Sequence, residues 1–203
     1  MVLDPLPQSF CAREVEALAR TLLGCRLQRG EVVLRITEVE AYAGPEDTAS
    51  HARAGETPRT AVMWGPAGRV YVYLCYGIHN MLNISAGEAG RASAVLIRAC
   101  EPLAGLEQVR ARRGGKTGPT LLDGPGKVGA ALELDTSWSG HPLYEPGELV
   151  LAGPEPDWQN PGLLVGARVG IDFAAPEDRD RPWRFALADN PWVGHRKLLR
   201  AQK

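Results

Sequence analysis

The chain lacks the features that would place it in several large classes at once. No apolar run approaches the ~20 residues a membrane-spanning helix needs. The first seven residues, Met1-Val2-Leu3-Asp4-Pro5-Leu6-Pro7, have neither a basic n-region nor an apolar h-region, so no signal peptide is read and a cytoplasmic protein is expected. Cysteine is scarce and scattered: Cys11, Cys25, Cys75 and Cys100 form no C-x-x-C pair, which argues against a zinc site and a disulfide framework. Reduced, largely buried thiols are expected. There is no H-x-x-x-H or H-E-x-x-H for a metal, no G-x-S-x-G elbow for a serine nucleophile, and no Walker A spacing. Neither a metal nor a cofactor is expected. Positive charge is also short: the net charge is −1, which counts against a generic polyanion binder.

What is present is ordinary in bulk and uneven in detail. With 203 residues, residues 1–203 are expected to form one domain. Residues 108–128 hold Arg110, Arg112, Arg113, Lys116 and Lys127 against Asp123, a local basic strip on a near-neutral chain; a solvated helix end is the plainer reading. Periodicity predicts a helix over 12–23 with Ser9 as N-cap, then a strand over 31–40. A Gly/Pro-bearing loop is expected over 44–68. Strands at 70–75 and 80–85 read as a hairpin with Tyr76 near its tip. A strand at 94–99, helices at 103–112 and 127–134, and strands at 148–152, 164–171 and 183–188 complete the reading. Strands outnumber helices without regular alternation, which predicts a single α+β domain. Its sheet is expected to be curved and mainly antiparallel, with surrounding helices and a protruding β-hairpin.

Four local features bear on chemistry. Alternation puts Glu38, Glu40 and Tyr42 on one face with Val32, Leu34 and Ile36, so Glu40 is expected to be a buried carboxylate. It is either functional or simply the partner of an arginine, Arg98 being a candidate. Four of the five tyrosines fall within 42–76, and Tyr71 and Tyr73 share a strand face; they form an aromatic clamp for a flat ring or ordinary sheet enrichment. Tyr76 beside Gly77 is placed to act as a wedge. Gly124-Pro125-Gly126-Lys127 opens a predicted helix, suited to an anion or merely to a helix start.

Two long segments then resemble a known family. Thr37-Glu38-Val39-Glu40-Ala41-Tyr42-Ala43-Gly44-Pro45-Glu46-Asp47-Thr48-Ala49-Ser50-His51 and Val70-Tyr71-Val72-Tyr73-Leu74-Cys75-Tyr76-Gly77-Ile78-His79-Asn80-Met81-Leu82-Asn83-Ile84 are similar to motifs of the mammalian-type alkyladenine (3-methyladenine) DNA glycosylases, not the helix-hairpin-helix type. Val95 to Ala99, Gly124 to Lys127 and Asn190-Pro191-Trp192-Val193 follow in order. The resemblance implies hydrolysis of a damaged purine from double-stranded DNA. Glu40 would activate a water, Arg98 and the Val193 backbone would hold that water, and Tyr42 and Tyr73 would sandwich the base. His51 would hydrogen-bond near it, Asn83 would exclude guanine, Tyr76 would fill the gap in the stack, and Gly126 and Lys127 would contact a phosphate. It also implies an intracellular, nucleoid-associated protein; nothing demands an oligomer, so a monomer is expected. Two other classes stand beside this reading: a non-catalytic nucleic-acid-binding domain, and an N-ribosyl hydrolase of free nucleosides.

Overall fold

A computed structural model describes residues 2–202. Nine strands belong to one open sheet in which every pairing is antiparallel. In chain order the elements are α1 (Val15–Leu22), β1 (Arg26–Arg29), β2 (Val32–Tyr42), α2 (Ala61–Trp64), β3 (Val70–Cys75), β4 (His79–Ser85) and β5 (Ala94–Ala104). There follow α3 (Leu106–Arg112), α4 (Pro125–Ala131), β6 (Leu149–Ala152), β7 (Leu163–Gly166), α5 (Pro176–Arg179), β8 (Arg184–Leu187) and β9 (Arg200–Ala201). The main path through the sheet is β3-β4-β5-β2-β8-β7-β9, with β1 and β6 added beside the first half of β2.

The α+β class, the hairpin and its tip agree with the sequence. Boundaries shift where apolar spacing and backbone geometry part. Helix α1 begins at Val15, and Ser9 lies in an earlier 3-10 turn instead of capping it. Its buried stripe is Val15, Leu18, Ala19 and Leu22, as the 3.6-residue period requires. Complete burial of Leu18 and Leu22 contributes ~1.5–3 kcal/mol each. Strand β5 runs on to Ala104, so helix α3 starts only at Leu106. Strands β1 and β9 went unread, being four and two residues long with arginine in each.

Strand β2 corrects the sequence reading on one important point. Ile36 pairs with Cys100 and Glu38 with Ala99, which leaves Thr37 as an extra residue. Val39 then pairs with Ile97, which leaves Arg98 extra on β5. An inserted residue reverses which face the following side chains occupy. Val39 and Ala41 therefore join Val32, Leu34 and Ile36 in the main core, with Val95, Ile97 and Cys100 from β5. Glu38, Glu40 and Tyr42 do not share the face of Val32, Leu34 and Ile36; they project from the opposite one. They are joined there by Tyr71 and Tyr73 of β3, Asn83 of β4, and Leu96 and Arg98 of β5. The sheet thus buries an apolar core on one face and carries its chemistry on the other.

Candidate active site

On that second face lies a cavity of about 330 Å³. Tyr42, Tyr71, Tyr73, Asn83, Leu96 and Arg98 form part of its sheet wall; His51, Met63, Pro125 and Val169 to Ile171 contribute from the loops and helices above. Its size and its apolar, aromatic lining with few polar groups are those of a small-ligand site.

Glu40 sits directly behind this wall with no exposed surface. Its Oε1 accepts the backbone N–H of Val169 at 2.8 Å and lies 3.2 Å from Nη1 of Arg98; its Oε2 accepts the Tyr42 hydroxyl at 2.8 Å. All three neighbours belong to the cavity lining. Each presents a proton to the carboxylate, so both oxygens of Glu40 are held in place. Burial disfavours the charge of Arg98, but Glu40 and Glu38 more than offset this and hold its guanidinium above the usual arginine range.

Sequence reasoning missed the second carboxylate. Oε1 of Glu38 accepts Nε of Arg98 at 2.8 Å and Nε of Arg184 at 2.7 Å, while Oε2 accepts the backbone N–H of Gly194 at 2.7 Å. Arg184 also donates to the Gly194 carbonyl at 2.5 Å. Glu38 is thus the structural partner of Arg98 and Arg184, and Glu40 shares Arg98 with it. The only signal for this in sequence was the E-x-E spacing itself. Val193 is buried against Leu164 and Ala186 and does not line the cavity; its neighbour Gly194 is fastened to Glu38 and Arg184.

The ring walls are braced from behind. Arg168 makes a two-point ion pair with Asp47, at 2.6 and 2.8 Å, and its guanidinium stands 4.7 Å from the centre of the Tyr42 ring. Across the cavity, the His51 ring meets Tyr73 edge-on at 4.5 Å, and its Nδ1 is 2.9 Å from the Tyr71 hydroxyl. Burial first, then Arg59 and Arg53, lower the His51 pKa to about 4. His51 is therefore neutral at pH 7. An unfolded chain binds this proton below about pH 6.5 and the folded one does not, so His51 erodes stability as pH falls from about 6.5 towards 4. In an NMR titration its ring signals should stay those of neutral imidazole down to about pH 4; titration near 6.5 would contradict this environment.

Asn83 donates its amide to the carbonyls of Tyr71 and Met81, which fixes its orientation in the wall. Tyr76 stands at the hairpin tip, 89% exposed, with φ of +51°, flanked by Ile78 at 72%. A bulky residue in the left-handed region is uncommon and strained, which makes the tip a feature in need of a reason. Gly126 and Gly129 have a packing reason: a Cβ on Gly126 would come within 2.9 Å of the His79 side chain, and one on Gly129 would strike the Asn80 carbonyl. Lys127 pairs with Asp123 at 2.5 Å. The basic strip is largely neutralised, since Arg110 pairs with Glu107 and Arg112 with Glu133. Cys75 lines the cavity half-buried, whereas Cys11, Cys25 and Cys100 are buried. Among the described residues no three His, Cys, Asp or Glu side chains are grouped as a metal would need, and no helix is long and apolar enough to cross a membrane.

A family model described as methylpurine-DNA glycosylase (MPG) matches residues 9–191. The chain belongs to the methylpurine-DNA glycosylase family. Relatives match it along nearly its whole length. A Nitrosococcus oceani protein assigned to the 3-methyladenine DNA glycosylases is 58% identical over 200 residues, covering 98% of each chain. The DNA-3-methyladenine glycosylase of Arabidopsis thaliana is 54% identical over 189 residues, covering 93% of this chain and 73% of the relative. As a DNA glycosylase, the chain has in this cavity a candidate seat for the base, and in Glu40 behind its wall a candidate source of the hydrolytic chemistry.

Proposed function

We propose that this glycosylase is monofunctional: it everts alkylated or deaminated purines from duplex DNA into the cavity and hydrolyses the N-glycosidic bond with a water activated by Glu40. The observation that carries the reading is Glu40 itself, a buried acid that accepts from the Tyr42 hydroxyl and the Val169 N–H and pairs with Arg98, all three of them in the wall of an aromatic cavity. The substrates proposed are 3-methyladenine and 7-methylguanine, with hypoxanthine and ethenoadenine as further lesions.

The chemistry follows from charge. Cleavage of the bond leaves an oxocarbenium-like sugar; a carboxylate beside it stabilises the positive charge and takes the proton of the attacking water. Arg98 and Glu40 hold that water, and Val169, whose N–H is tied to Glu40 in the cavity wall, takes the backbone place that the sequence assigned to Val193. The Tyr42 and Tyr73 rings grip the base on its two faces, and a cationic alkylated purine gains ~1–2 kcal/mol from a desolvated ring. Asn83 crowds the exocyclic amino group of guanine. A base alkylated at N3 or N7 departs already charged. A neutral lesion takes its proton from water, because His51 is held neutral and serves as a hydrogen-bonding group. No lysine is among the cavity-lining residues described, so no Schiff base forms and the strand is left uncut.

Tyr76 fills the gap left in the stack, and the start of α4 at Gly126 and Lys127, beside His79 of the hairpin, contacts a backbone phosphate. Tyr76→Ala should weaken binding to lesion-bearing duplex by about 10-fold or more, since unstacking costs a few kcal/mol that the wedge offsets. Unchanged affinity in a fluorescence-anisotropy titration would remove the wedge role. The whole reading is tested by comparing deoxyinosine as a free nucleoside with the same residue in a duplex. Release of hypoxanthine from duplex alone supports it; equal rates indicate a nucleoside hydrolase, and binding without release indicates a non-catalytic module.

A further inference from the structure

Three of the arginines around the site, Arg98, Arg168 and Arg184, are buried and paired with carboxylates. Two others behave differently. Arg53 and Arg59 are exposed at the cavity rim, and neither forms an ion pair among the described residues, although Glu56 lies between them in sequence. Each guanidinium is laid over an aromatic ring of the cavity lining. Arg53 stands 4.9 Å from the centre of Phe173, itself 62% exposed, and Arg59 stands 5.4 Å from the centre of Tyr73. Arg59 Nη2 also reaches within 3.5 Å of His51 Nε2. Both charges lie close enough to His51 to help lower its pKa.

We propose that Arg53 and Arg59 form a phosphate subsite at the rim, which grips the backbone flanking the everted nucleotide. The inference rests on the proposed eversion of a base into this cavity. An everted nucleotide brings its base inward and leaves its phosphodiester links at the mouth, where Tyr76, Phe173 and Pro125 offer no charge. A planar guanidinium presents paired donors that match phosphate oxygens. Stacking on a ring limits the conformations of each arginine before DNA arrives, so less order is lost on binding. Of Arg53, one donor reaches the Ser50 carbonyl at 3.3 Å, which leaves the rest of the fork for a ligand.

The test is the salt dependence of binding. Each phosphate contact contributes about −0.9 to the slope of log K against log salt on duplex DNA. Arg53→Gln/Arg59→Gln should flatten that slope by about 1.8 on a duplex with one lesion, measured in a Glu40→Gln background so that no turnover intervenes. On undamaged duplex the slope should hardly change, because no nucleotide is everted. Arg53→Lys/Arg59→Lys should keep most of the slope. Both side chains are exposed, so the unfolding midpoint should stay that of the parent. Equal slopes for the glutamine variant and its parent, or an equal loss on damaged and undamaged duplex, would overturn the subsite. Absence of base release by the unaltered chain would instead defeat the proposed function, and it is read in a separate assay.

Discussion

Glu40→Gln is expected to slow single-turnover base release by at least about 100-fold, the lower range for loss of a general base, while leaving lesion binding within about threefold. The asymmetry comes from the contacts. A glutamine carbonyl can accept from Arg98 and from the Val169 N–H, as Oε1 of Glu40 does, and its amide can donate to the Tyr42 hydroxyl. Glu38 keeps Arg98 paired when the second charge is gone. The fold and the ring walls thus survive, and only the group that accepts a proton from water is lost. Release near the unaltered rate would show that Glu40 is one more buried arginine partner.

Asp47→Ala is expected to have the largest effect on stability. Arg168 has no exposed side-chain surface, and Asp47 is its ion-pair partner among the described residues. Removal of one member of a buried pair leaves a charge without compensation and costs about 3–5 kcal/mol. That is a large share of the ~5–15 kcal/mol by which a domain is stable. Among the described residues Arg168 would keep the carbonyls of Ala41 and Asp178, at 2.9 and 3.1 Å, and the faces of the Tyr42 and Trp183 rings, none of them a countercharge. Since it also backs the Tyr42 ring, base release should fall at temperatures where the variant is still folded. Chemical denaturation reads the first effect. A midpoint unchanged within the error of the fit would mean that water reaches Arg168 and that the pair is not buried in solution.

The sequence motifs led to the right neighbourhood because the sheet wall of the cavity comes from strands whose alternation can be read locally, whereas His51, Met63, Pro125 and Val169 reach it from loops and helices. Tyr71 and Tyr73 share a face for the reason that any two residues two apart on a strand do. Glu40 was read as buried for a wrong reason. Alternation counted from Val32 puts it on the core face, and the bulge at Thr37 breaks that count. Neither Thr37 nor Arg98 advertises a bulge in its own chemistry; the extra residues follow from pairing with another strand, which local pattern does not contain. The same limit hid Glu38, whose two arginines come from β5 and β8, sixty and 146 residues away. Gly126 and Gly129 show the converse. Gly126 belongs to a helix start suited to an anion, and the fold adds a packing need that no local pattern shows, at Gly126 against His79 and at Gly129 against Asn80.

The account depends above all on water attack at the sugar of an everted, damaged purine, and one assay addresses it. A duplex with a single 7-methylguanine is incubated with excess enzyme, and the free base and the strand are followed together. Free 7-methylguanine should appear while the strand stays whole until alkali cleaves the abasic site. No free base, or a strand broken without alkali, would contradict the mechanism.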